Sequence, residues 1–350
     1  MLSVYSMTSH NWKDFFETNG VSLSVLPYWF HGLYRDQKQV EKHFSKDLLH
    51  KVRENFSFVL PKISRVQEAS DGTMKFQMKM SDALEVETVL LPFDKRYTVC
   101  LSTQVGCGMN CSFCFTGTMG LTRHLTSGEI VGQYLVARSH LKKINPKALN
   151  PSIVFMGQGE PLHNSQELKK AIEIFNHPLM VDIGLRKMTL STVGYLPGMI
   201  ALKDFPRINL ALSLHSPFDD ERAQLIPINR QYPLKDILPL LDEIPLLPKQ
   251  FITFEYLLVK NFNMTQKHAE ELFRLLGKRK ALINLIPMNP FPGSKWERPD
   301  ASEIEHFKKI LVEKKLRVML RGTKGDDILA ACGQLRVESS VKNRARNNVI

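Results

Sequence analysis

Residues 98–117, TVCLSTQVGCGMNCSFCFTG, open as a strand and close as a set of metal ligands. TVCLST is short, mostly apolar and β-branched, as a strand buried on both faces is. Cys107, Cys111 and Cys114 then fall within one short loop of a chain that has 5 cysteines. Downstream, strand and helix patterns alternate. PSIVFMG (151–157), KMTLSTV (187–193), INLALSLH (208–215), FITFEYLLV (251–259), LINLIP (282–287) and RVML (317–320) read as strands. SGEIVGQYLVARSHL (127–141), NSQELKKAIEIF (164–175), TQKHAEELFRLLGK (265–278) and DASEIEHFKKILVEKK (300–315) read as helices, some opening on a Ser, Asn or Asp cap. Repeated βα units predict an α/β fold with a parallel sheet, open or rolled into a barrel. Ligands of such sheets bind at the C-terminal ends of the strands. The three cysteines follow the first strand, GQGEP the second, STVG ends the third and SLH the fourth.

Upstream the pattern differs. Residues 1 to about 60 read as short helices: WKDFFETNG (12–20) stops at a glycine, and QVEKHFSKDLLHKVRENF (39–56) has helical spacing. From residue 62 the period becomes two, in KISRVQEA, MKFQMKM and LEVETVLLP, with turns at SDGT and SDA. This predicts a meander closed by Pro92. The expected organisation is an accessory domain at 1–92, a core at 93–335 and a basic tail at 336–350.

With 350 residues the chain can bury one large core or two modest ones. Its formal net charge of +12 is spread over the sequence rather than held in one block, and such a surface attracts polyanions such as RNA or DNA. MLSVYSMTSHNWKDFF has no apolar run with a cleavage site, and no later segment is an uncharged apolar span. The expectation is a cytoplasmic protein with no membrane contact, in whose reducing surroundings clustered cysteines are ligands or redox groups rather than disulfides.

A closed zinc site takes four ligands, and this chain has no second cysteine pair to complete one. The spacing C-x3-C-x2-C suits an iron–sulfur cluster with three thiolate-held irons and one open iron. A zinc knuckle in a non-catalytic RNA-binding protein is the alternative.

RYTVCLSTQVGCGMNCSFC, FMGQGEPLHN, LSTVGYLPGM, SLHSPFDDERAQLIPINRQYPL, IPMNPFPGS and RGTKGDDILAACGQL occur in that order, preceded by SDGTMKF and VETVLLP. Together they resemble the RlmN/Cfr family of radical S-adenosylmethionine (SAM) adenosine methyltransferases, from about Ser70 to Leu335. The resemblance implies a radical SAM partial (β/α) barrel with a small helical and β accessory domain that binds RNA. It implies a [4Fe-4S] cluster on Cys107, Cys111 and Cys114, whose open iron chelates SAM and whose electron releases a 5′-deoxyadenosyl radical. Gly159, Glu160, Ser191, Ser213, Leu214, His215 and Asn289 match the family's SAM contacts.

Adenine C2 and C8 are electron-poor carbons that do not attack a methyl sulfonium. The family instead loads a methyl onto a cysteine, removes a hydrogen atom from it, adds the sulfur-bound carbon to the ring, and frees the product with a second cysteine. The resemblance makes Cys332 the carrier and Cys100 the resolving thiol, leaving a disulfide to be reduced. Each, taken alone, reads as a small buried hydrophobe. Glu87 matches the family's proton acceptor, although spacing alone does not separate it from Glu85 on the same strand face. His215 alone reads as a satisfied polar residue at a strand end. The implied substrate is an adenosine of large-subunit (23S) ribosomal RNA, with transfer RNA as a further substrate of some members, and the implied electron donor is a protein such as flavodoxin. SDGTMKF, GEPL, NPFPG and TKGDD look like the C2-modifying branch, while SLHSP and RQYPL are closer to the C8-modifying Cfr branch. Gln158 stands where the family usually has methionine, and the tail has no family counterpart. A methylthiolating radical SAM enzyme would need three more cysteines for a second cluster.

Overall fold

Strand follows strand in chain order across one ten-stranded sheet: β1 (Lys62–Glu68), β2 (Met74–Lys79), β3 (Glu85–Phe93), β4 (Arg96–Cys100), β5 (Ser152–Phe155), β6 (Met188–Thr192), β7 (Asn209–Ser213), β8 (Ile252–Leu258), β9 (Ala281–Pro287) and β10 (Val318–Leu320). The computed structural model describes residues 1–35, 44–94 and 96–337. Strands β1 to β4 pair antiparallel, as hairpins with short turns can, and β4 to β10 pair parallel through helical crossovers. The sheet is open, with β1 and β10 at its edges. This is the α/β architecture that the alternating pattern predicts.

Pro92 does not close the meander. It lies inside β3 and pairs with Tyr97 of β4, so the expected boundary at 92/93 falls within a hairpin of a continuous sheet. The proline is tolerated because pairing of β3 with β2 ends at Leu90, leaving position 92 with a neighbour on one side only. The N-terminal residues form helices Ser9–Thr18, Leu26–Tyr34 and Lys46–Asn55, of which the last begins inside the expected 39–56 segment; residues 39–43 lie outside the described residues, as does the tail from 338 on. Trp12, Phe16, Trp29 and Phe30 form their aromatic centre, with Trp12 and Trp29 crossing edge to face at 5.0 Å.

Helix Ser127–Ile144 joins this unit to the sheet. Its capping box pairs Thr126 with Glu129, and its Gly128 N–H donates to Ser6 Oγ at 2.9 Å. On the same helix Gln133 is wholly buried, accepting from Thr88 Oγ1 (2.8 Å) and Ser102 N–H (3.0 Å) while donating to the Ser102 carbonyl. A buried amide is stable there because its donor and acceptor sites are used.

Between β4 and that helix, Gln104–Cys107 and Gly120–His124 form a two-stranded hairpin absent from the strand pattern, because a single alternation of four residues carries no signal. It frames the cysteine loop. Gly106 has φ +78°, and a Cβ added there would lie 1.9 Å from the Gly120 carbonyl oxygen. Gly106→Ala is therefore expected to cost at least about 1–3 kcal/mol and to lower the melting temperature by several degrees in calorimetry. An unchanged melting temperature would mean that the hairpin is not formed as described.

Candidate active site

The parallel strands end in a cleft with an internal volume of about 140 Å³ that opens to solvent at its mouth. Cys107, Cys111, Cys114, Gly159, Glu160, Ser191, Ser213, His215 and Cys332 line it. Leu214, Asn289, Cys100 and Glu87 do not line it, though Leu214, Asn289 and Cys100 each touch a residue that does.

The cysteine loop is fixed by its backbone. Ser112 N–H donates to the Leu225 carbonyl (2.9 Å), Ser112 Oγ to that of Gln224 (2.7 Å), and Trp296 Nε1 to Ser112 Oγ (2.9 Å). Cys114 N–H reaches the Cys111 carbonyl at 3.1 Å. Among the described residues no set of three His, Cys, Asp or Glu side chains is gathered tightly enough for a single metal ion. Three thiols spread along one cavity wall beside Met109, Phe113, Leu257 and Ile286 fit a soft, multi-iron cluster in an apolar shell. Burial pushes the Cys107 thiol up to about 12 and raises Cys111 and Cys114 as well, so the metal-free loop carries protons that iron must displace.

Glycine at 159 is required by close approach: its φ is +105°, and a Cβ would sit 2.6 Å from that of Gln104. Glu160 next to it is buried, its carboxylate accepting from Leu162 N–H and Val193 N–H, both at 3.0 Å. Burial dominates and pushes this carboxyl up to about 7. Ser191 Oγ donates to Glu255 at 2.9 Å. Leu214 is an anchor: its N–H donates to the Glu255 carbonyl (2.9 Å) and its own carbonyl accepts from Arg222 (3.1 Å). His215 has φ +59°, its Nδ1 accepts from Leu257 N–H at 3.1 Å, and its ring meets Phe113 edge to face at 4.7 Å. Accepting at Nδ1 puts the proton of the neutral ring on Nε2, and burial first, with the Arg222 charge, lowers its pKa to about 3.

Cys332 sits on a loop tied down from several sides. Asn289 Nδ2 donates to the Cys332 carbonyl (3.2 Å), Phe115 N–H to that of Gly333 (2.6 Å), and Gln334 Nε2 to that of Pro290 (2.9 Å). From the meander, Lys75 Nζ reaches the Leu329 carbonyl (3.2 Å), Ser70 N–H the Asp327 carboxylate (2.9 Å), and Gly325 N–H the Asp71 carboxylate (3.2 Å). Cys100, at the end of β4, packs among Val89, Leu91, Ala330 and Leu335 of that same loop region. All five cysteines are free thiols.

Glu87 and Glu85, equivalent by spacing, differ in surroundings: Glu87 is 3% exposed, whereas Glu85 is half-buried beside Gln77. The Glu87 carboxylate lies 3.2 Å from Lys75 Nζ, which is itself buried, and its N–H donates to Gln158 Oε1 at 3.0 Å. The glutamine at the family's methionine position thus holds the backbone of Glu87. Sequence reading missed Lys75, Arg222, Glu255 and Arg321. Glu255 had a legible signal, a carboxylate inside the apolar strand FITFEYLLV; Lys75 had none, since in MKFQMKM it alternates as a solvent-facing lysine would. Arg321, beside Cys332, Glu255 and Cys100, has its pKa raised chiefly by Cys332.

Burial, with the Cys332 charge behind it, pushes the Cys100 thiol up to about 12. At pH 8 the native metal-free protein should therefore be alkylated by iodoacetamide at Cys332 first, with Cys100 reacting at least about a hundredfold more slowly than an ordinary exposed thiol. Peptide mass mapping reads this directly, and equal rates would place Cys100 in a wetter setting than described.

The radical SAM superfamily model matches residues 101–276. A dual-specificity RNA methyltransferase RlmN from Solidesulfovibrio magneticus is 42% identical over 84% of each chain, and one from Marinobacter nauticus is 36% identical over 99% of this chain and 96% of its own. The crystal structure of a radical SAM methyltransferase from Sphaerobacter thermophilus superposes with a TM-score of 0.88 at 34% identity, covering 96% of this chain and 99% of that one. The chain belongs to the radical SAM superfamily and, within it, to the RlmN-type RNA methyltransferases, enzymes that work with a [4Fe-4S] cluster and S-adenosylmethionine.

Proposed function

We propose that the protein methylates C2 of an adenosine in 23S ribosomal RNA, with transfer RNA as a second substrate, through an S-methylated Cys332. The observation that carries this reading is that Cys332 lines the same cavity as Cys107, Cys111 and Cys114, with Cys100 behind its loop. The dual specificity in the names of the relatives supports a second RNA. The N-terminal helices and the meander, which is continuous with the core sheet, serve as the RNA-binding part, with Lys51, Arg53, Lys62, Arg65 and Lys79 exposed on it for phosphate contacts. The basic tail would add to them. No helix among the described residues is long and apolar enough to cross a membrane, and we place the work in the cytoplasm, with a flavodoxin-type protein as electron source.

In this reading Cys107, Cys111 and Cys114 hold the cluster, while Gly159, Glu160, Ser191, Ser213, Leu214, His215 and Asn289 shape the SAM pocket. When bound, cluster and SAM supply a 5′-deoxyadenosyl radical able to take a hydrogen atom from a methyl group. Cys332 carries that methyl as a thioether, having taken it from a first SAM. The carbon radical left on the Cys332 sulfur would add to adenine C2, and the adduct would become a closed-shell thioether by returning one electron to the carriers that supplied it and giving the C2 proton to Glu87, held by Lys75 and Gln158. The Cys100 thiolate would attack the Cys332 sulfur, breaking its bond to the ring-bound carbon, which leaves as an enamine and takes a proton to become the methyl group, and a thiol reductant would supply the two electrons that reduce the resulting disulfide before the next turnover.

Cys332→Ala should leave neither protein nor RNA methylated. Cys100→Ala should still accept the methyl and join it to adenine but fail to release it, giving a covalent protein–RNA band on a reducing denaturing gel. That band should vanish in the double variant. Free methylated RNA from Cys100→Ala would overturn the division of labour, and mass mapping of wild-type product at C8 would overturn the regiochemistry.

A further inference from the structure

Arg222 is fully buried in the short helix Asp219–Leu225, and every hydrogen-bond acceptor it has among the described residues is electrically neutral, the exposed Asp219 acting on it only without direct contact. Its guanidinium donates to the carbonyls of Leu214 (3.1 Å), Ser213 (2.8 Å) and Val193 (2.6 Å), and to the side-chain carbonyl of Asn229. No carboxylate pairs with it among the described residues. Asp219, on the same helix, is exposed and spends its carboxylate on Asn229 Nδ2 (2.8 Å) and Leu234 N–H (2.9 Å). A desolvated charge without a counterion is costly unless its compensating charge arrives from elsewhere.

The same helix carries the cysteine loop. Gln224 and Leu225 accept the two hydrogen bonds that Ser112, the residue after Cys111, donates, and Cys111 packs against Leu225 and Ile226. Burial lowers the pKa of Arg222, and the neighbouring Cys111 and the exposed Asp219 carboxylate oppose that shift. Three thiolates on a [4Fe-4S]²⁺ core carry one net negative charge, and a single electron from a low-potential donor makes it two. The missing counterion is therefore the loaded loop.

We infer that Arg222 is the fixed countercharge of the cluster and a positioning residue for the strand ends beside it. It favours the reduced state, in which the negative charge is larger, and its fork holds Val193, Ser213 and Leu214 in register at the SAM pocket. A fully buried cation with four neutral acceptors does both without moving. The inference rests on Cys107, Cys111 and Cys114 being the cluster ligands.

The test is a redox titration of the anaerobically loaded holoenzyme, with dithionite as the one-electron donor and the spectroscopic signal of the reduced cluster as readout. In Arg222→Met the ratio of reduced to oxidised cluster, at the potential where wild type is half reduced, should fall at least about tenfold, a midpoint about 59 mV lower for a one-electron couple. Arg222→Lys keeps the charge and should stay near wild type although its fork is lost. Asn229→Asp sets a carboxylate against the guanidinium without removing it and should lower the midpoint in the same direction, so the idea is tested even if Arg222→Met does not take up iron. Wild-type midpoints in both neutralising variants that load, or in Asn229→Asp alone if only it does, would overturn the countercharge. A wild-type protein that takes up no iron and sulfide would instead overturn the ligand assignment.

Discussion

The pairing of β3 with β4 and of β4 with β5 sets Val89, Cys100 and Val154 in one row across the sheet, and the site depends on that row. It is the point where the antiparallel meander becomes the parallel half. Two residues up β3 from Val89 stands Glu87, and just past the end of β5 stands Gln158, which hydrogen-bonds it. Shift either ladder by one residue and every side chain on it changes face. The buried amide of Gln133 reinforces the junction, since it bonds Thr88 of β3 and Ser102 just after β4 together.

The cleft built on this frame concentrates groups that water would otherwise satisfy. Glu160, His215, Arg222 and the Lys75–Glu87 pair are all buried; the first three are held largely by fixed backbone N–H or carbonyl groups, and the pair by its own ion pair with one carbonyl on Lys75. Such dipoles hold charge without reorganising, the condition under which a dry site stabilises ionic and radical chemistry. The pKa shifts follow: desolvation moves Glu160 and Cys100 up and His215 down, with hydrogen bonds opposing the shift of Glu160 and neighbouring charges adjusting those of Cys100 and His215.

Much of this was legible in the sequence where periodicity or spacing carried it. Strands such as FITFEYLLV and helices such as SGEIVGQYLVARSHL appear close to the expected positions because each is long and evenly patterned. The cysteine triplet and the ends of the first four core strands meet in one cleft for the same reason. What was hidden depends on partners far along the chain. Pro92 looked like a terminator because its one-sided pairing is a property of the sheet. Lys75 looked solvent-facing because nothing local says that the Leu329 segment covers it, and Arg222 looked like an ordinary member of a charged run, DDERAQ.

The loop bearing Cys332 is held by the turn before β2, through Ser70 and Asp71 bonded to Asp327 and Gly325, partners more than 250 positions apart. Chain growth proceeds from one end, so residues 70–75 leave the ribosome long before the segment they must grip. Until then, Lys75 and Glu87 have no cover from Leu329 and Cys100 lacks the packing of Ala330 and Leu335. The cysteine triplet and most of the residues that line the cleft are synthesised in that interval, and Cys332, with Gly333 and Leu335, belongs to the last part of the lining to be made. A nascent or truncated chain that ends before this loop therefore lacks Cys332, the methyl carrier of the proposed mechanism, and under that mechanism an incomplete protein would be unable to modify the RNA around it.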